Sequence, residues 1–101
     1  MKIDRKDVPS MTIEQFADSY NLTMKVRERR VPADHPSRYY AHFESCEVMS
    51  DDGFLFDDFG NGMTAEEAIS VYADRIQLKR IVIGAYTPER REVDVPRLVK
   101  E

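Results

Sequence analysis

The spacing of apolar residues divides the chain into short elements whose period switches between the 3.6 of a helix and the 2 of a strand. Ile13, Phe16, Ala17 and Tyr20 recur at i, i+3, i+4 and i+7, so a two-turn helix over residues 13–20 turns one stripe to a core. Thr12 with Gln15 makes a capping box, Met11 and Phe16 are spaced as a hydrophobic staple, and Asn21 suits a left-handed stop. From residue 22 the period drops to two. Leu22, Met24 and Val26 alternate with Thr23, Lys25 and Arg27, predicting a half-buried strand over 22–31 with a basic outer face. Pro32 and Pro36 then interrupt pairing. A second strand is predicted over 39–49, with Tyr39, Ala41 and Phe43 on one face and Tyr40, His42, Glu44 and Cys46 on the other. Ser50-Asp51-Asp52-Gly53 reads as a hairpin turn, residues 54–59 as a third strand, and Gly60-Asn61-Gly62 as a tight backbone bend.

Thr64 and Glu67 repeat the capping-box spacing, with Met63 and Ala68 as a second staple, so another helix begins near Ala65. Ala65, Ala68, Ile69, Tyr72, Ala73 and Ile76 form its apolar stripe, and Glu66, Glu67 and Asp74 stay in water. A strand over 79–86 centres on Ile81, Val82 and Ile83, and residues 92–95 pair with it as a short last strand before Pro96. The expected architecture is α+β, an α-β-β-β-α core with an antiparallel sheet and a C-terminal strand or hairpin. Residues 1–10 mix charges without periodicity and are expected to form a loosely ordered leader to a single domain over 11–101.

Charge sharpens this picture. From Tyr39 to Asp74 there is no lysine or arginine, yet Glu44, Glu47, Asp51, Asp52, Asp57, Asp58, Glu66, Glu67 and Asp74 all fall there. Repelling carboxylates loosen a fold, so such a stretch suggests a surface shaped for something basic. The formal charge of −4 opposes bulk attraction to phosphate backbones. Lys25, Arg27, Arg29, Arg30 and Arg38 nonetheless cluster just before the acidic stretch. No apolar run approaches the roughly 18 residues of a membrane span, the first residues lack a signal-peptide core, and a single cysteine excludes an internal disulfide. A cytoplasmic protein is expected, with no membrane partner.

The order helix, three-stranded meander, helix, with Gly-x-Gly before a capped second helix, resembles the double-stranded RNA-binding domain over residues 11–78. That resemblance implies RNA binding through lysines at the start of the second helix, where this chain has Ala65, Glu66 and Glu67. Gly62, Thr64, Glu66, Glu67 and Ala68 also match the strand-to-helix segment of HicB-type antitoxins, which implies an antitoxin-like role. In overall character the chain resembles the small acidic accessory proteins of phages and prophages, among them inhibitors of host defence systems.

Catalytic and metal chemistry find little support in the pattern. His42 and Cys46 lie four residues apart on a predicted strand, about 13 Å, too far to share a metal or form a nucleophilic pair. Asp57 and Asp58 are adjacent and point to opposite faces, and Asp51-Asp52-Gly53 lacks the alternating ligands of a calcium loop. Neither cofactor nor metal is expected. The leading expectation is a non-enzymatic module whose Glu44, Glu47, Asp51, Asp52, Asp57, Asp58, Glu66 and Glu67 engage a basic protein. The alternatives are a nucleic-acid binder using Lys25, Arg27, Arg29, Arg30 and Arg38 with tyrosine stacking, and a homodimer paired through an edge strand at Ile81, Val82 and Ile83.

Overall fold

The computed structural model describes residues 10–100. The expected leader therefore falls outside the described residues, except for Ser10. That residue is part of a strand, β1 (Ser10–Met11), paired in parallel with β9 (Arg97–Leu98) near the other end of the chain. The α+β class holds: α1 (Ile13–Tyr20) and α2 (Ala65–Ile76) accompany two larger sheets built from antiparallel pairs, with five short strands rather than three between the helices.

Both helices start where their caps put them. Thr12 accepts from the Gln15 backbone N–H at 3.1 Å, and the Gln15 side chain accepts from Thr12 N–H at 2.9 Å. Asn21, with φ of 56°, closes α1 in the left-handed region. Thr64 accepts from Glu67 N–H at 3.1 Å, but the Glu67 carboxylate turns to Met63 N–H at 3.4 Å, so the second box is only half made.

The first sheet runs β2 (Met24–Glu28), β3 (Tyr39–Phe43), β6 (Gly60–Gly62). Two expectations change here. The predicted strand over 39–49 is two strands, because Ser45 adopts φ of 56° and turns the chain between β3 and β4 (Cys46–Met49). That turn also resets the alternation, so Cys46 and Val48 are buried along with Ala41 and Phe43. The predicted strand over 54–59 shrinks to β5 (Leu55–Phe56), and Gly60-Asn61-Gly62 is not a bend but a strand paired with β3. Its glycines are required by α2. A Cβ on Gly60 would overlap Tyr72 N and Ala68 O, and one on Gly62 would lie 2.6 Å from Ala68 N.

The second sheet runs β5-β4-β7-β8, with β7 (Arg80–Ile83) and β8 (Arg91–Asp94) pairing as anticipated. Strand β7 is central, hydrogen-bonded on both sides, with Ile81 and Val82 fully buried. The idea of an edge pairing through Ile81, Val82 and Ile83 is thereby overturned. The core joins both layers: Phe43 lies 6.1 Å from Phe16 and 5.5 Å from Tyr72, with Ile76, Ile81, Val48 and Val93 beside them. Burial pushes the Cys46 thiol up to about 11 and also raises Tyr72.

Candidate functional site

Opposed residues of an antiparallel pair project to the same side of the sheet, so the register of the first sheet fixes its two faces. Met24 opposes Phe43, and Val26, Ala41 and Gly60 lie in one row. This is the inner face, covered by α1 and α2. Lys25 opposes His42, while Arg27, Tyr40 and Asn61 form the next row on the outer face. The basic outer face expected of the first strand is real, and β3 lays aromatic rings beside it.

The rings form a platform. Tyr40 and His42 are nearly parallel, 14° apart in plane with centroids 6.2 Å apart, and Phe59 meets Tyr40 edge-on at 6.0 Å. Arg29 is held against them. Its guanidinium carbon lies 4.5 Å from the Tyr40 ring centre and 5.7 Å from that of Phe59. Its Nη1 donates to Asn61 Oδ1 at 2.6 Å and to the Ser37 carbonyl at 2.7 Å. Such contacts combine cation–π attraction with charge-assisted hydrogen bonds, and they fix the rings and Asn61 around one cation. Phe59 remains 40% exposed, while Arg29, Tyr40, His42 and Asn61 are half-buried, so the platform is most open to solvent at Phe59.

Of the five predicted bases, Arg27, Arg29 and Arg30 have no carboxylate within ion-pair distance among the described residues. Lys25 makes a loose 3.8 Å contact with Glu44. Arg38 is different: its Nε donates to Glu28 at 2.6 Å, and it lies over Tyr39, which faces away from Tyr40. Arg38 is thus committed to the fold, and of the tyrosine pair Tyr40 alone belongs to the platform. Asn61 goes unrecognised in the sequence because residues 60–62 read as a bend, and Phe59 because nothing local in the predicted strand over 54–59 ties it to Tyr40.

The predicted acidic residues are spread among different hollows. Glu47 and Asp57 line a shallow one with His42, Cys46 and Tyr86. Asp51 lines another beside Lys79 and Arg80, with Asp52 exposed at the same hairpin. Glu66 and Glu67 line a third with Glu14 and Asp74. Asp58 is not a surface group at all. It is 7% exposed, accepts from Arg75 Nε at 2.6 Å, and accepts from its neighbour's N–H, that of Phe59, at 2.9 Å. As a partner-binding residue it is a correction, since its charge is spent inside the molecule.

Comparison with known proteins gives no match among family models, curated proteins or solved structures. Among the described residues, no helix is long and apolar enough to cross a membrane.

Proposed function

We propose that the outer face of the β2-β3-β6 sheet binds single-stranded nucleic acid. The observation that carries this reading is the row of Arg27, Tyr40 and Asn61 beside Lys25 and His42, with Phe59 and Arg29 closing the platform. Aromatic faces accept unstacked bases, and flanking guanidinium and ammonium groups accept the phosphates between them. A duplex hides its base faces, and the first turn of α2 opposes duplex phosphates with Glu66 and Glu67. Glu47 and Asp57 at the His42 end repel phosphate as well, which directs a strand to the end bearing Arg27, Arg29 and Arg30. The net charge of −4 keeps non-specific attraction weak, so the local face must supply the affinity.

Fluorescence anisotropy with a labelled oligo-dT or oligo-U of about 12 nucleotides tests the reading, since one binding fold covers about 4–16 nucleotides. Affinity should fall as salt rises. Tyr40→Ala should weaken binding by about 5- to 150-fold, the loss expected for one stacked base at about 1–3 kcal/mol. Arg27→Glu, at an exposed position, should weaken it and flatten the salt dependence. Binding that ignores both substitutions, or no binding at low salt, overturns the proposal.

A further inference from the structure

On the helical side of the molecule a groove of about 920 Å³ runs between α1, α2 and the chain following β9. Its apolar lining includes Ile69, Ala73, Leu98 and Val99, with Ile13 and Val71 beside them, and Val99 is 42% exposed. Glu14, Glu66, Glu67 and Asp74 also line it, against Lys100 as the base among its described lining residues. Glu14, Glu66 and Glu67 each sit in the first turn of a helix, where the macrodipole favours a carboxylate. Asp74 does not. It occupies the last turn of α2, where the dipole disfavours negative charge, and it makes no ion pair among the described residues. Its charge is unexplained by the helix that carries it.

We propose that this groove docks a basic amphipathic helical segment of a partner protein, its apolar stripe on Ile69, Ala73 and Val99 and its lysines or arginines facing Glu14, Glu66 and Asp74. The argument is charge complementarity around an apolar floor, the arrangement by which grooves take amphipathic helices. The 12 residues of α2 extend about 18 Å at 1.5 Å each, so a segment of about three turns fits. The groove shares no residue with the nucleic-acid platform, so either proposal can fail alone.

The test uses the full chain and a labelled Leu-Lys amphipathic peptide of about 12 residues, with a Leu-Glu peptide of equal length as control. Saturable binding of the Leu-Lys peptide alone is expected, at least tenfold weaker in the Glu66→Lys/Asp74→Lys variant, with oligonucleotide binding not weakened. Val99→Asp separates docking from general attraction to a negative protein. Docking predicts that the added carboxylate in the apolar floor weakens binding, whereas charge attraction alone predicts that it strengthens binding. Absence of binding, or strengthening by Val99→Asp, overturns the proposal. Concentration-dependent dimerisation abolished by Val99→Asp would also overturn it, assigning the groove to a second copy of the chain.

Discussion

Gly60→Ala isolates the contact on which the helix-to-sheet packing depends. Gly60 lies outside the left-handed region, so alanine meets no backbone strain of its own there. Its Cβ instead meets Tyr72 N and Ala68 O, atoms of the α2 backbone that no rotamer change can move. The helix must retreat, and a radial gap of about 0.5–1 Å forfeits a quarter to a half of each dispersion contact across it. Ala68, Tyr72 and Ile76 are all essentially fully buried at that interface. Overpacking costs about 1–3 kcal/mol in general, and immovable obstacles place this case at the top, about 3 kcal/mol. Less mobile unfolded chain returns about 0.4–1 kcal/mol, leaving a net loss of about 2–2.5 kcal/mol. Gly53→Ala is the comparison. It has φ of +85° and nothing within 4 Å of an added Cβ, so it carries only left-handed strain of about 1–2 kcal/mol, before the same return of about 0.4–1 kcal/mol. Urea unfolding reads both. With a slope of about 1.5 kcal/mol/M, Gly60→Ala should lower the midpoint by about 1.5 M and Gly53→Ala by about 0.5 M, and by no more than about 1 M. Equal shifts, or a larger one for Gly53→Ala, would refute the packing argument.

Other outcomes follow from the same contacts. Removing either partner of the Asp58–Arg75 pair, by Asp58→Ala or Arg75→Ala, should cost about 2 kcal/mol: about 1.5–3 is usual for a hydrogen bond to a charged group, and Arg75 is half exposed. The double variant should fall short of the sum by about 1 kcal/mol, and additivity within about 0.5 kcal/mol would show the pair uncoupled. Cys46, raised from 9.0 to about 11 by burial, should react with a thiol-specific disulfide reagent at pH 8 about 100-fold more slowly than in the urea-unfolded chain, following its thiolate fraction. Equal rates would contradict its burial. Because the folded thiol has the higher pKa, its contribution to stability is complete below the unfolded value of 9.0 and declines as pH rises toward 11. Urea midpoints at pH 8 and 10 should show that decline.

What could be read from the sequence was what local chemistry decides. Thr12 with Gln15 and Thr64 with Glu67 placed both helix starts, because a cap is satisfied within one turn. The alternation from Met24 to Arg27 gave the basic face for the same reason. Where the sequence misled, a distant partner decides. Ser45 resets the strand phase without any glycine to announce it. Gly60 and Gly62 look like a bend because their use is a close approach to α2, visible only once the helix is in place. The acidic stretch is continuous along the chain, but sheet register and turns distribute it among separate hollows, and Asp58 finds Arg75 only through α2. Asn61 entered the site when its strand paired with β3 and brought its amide to Arg29.

The sharpest test of nucleic-acid binding by this sheet is titration of the isotope-labelled protein with an unlabelled oligo-dT, followed residue by residue in amide and aromatic NMR spectra. Nucleic-acid binding at the sheet gives saturable shifts confined to Lys25, Arg27, Arg29, Tyr40, His42, Phe59 and Asn61 and their immediate neighbours, with α1 and α2 unmoved. Shifts centred on the helices, or an unchanged spectrum at low salt with oligonucleotide in excess, would contradict it.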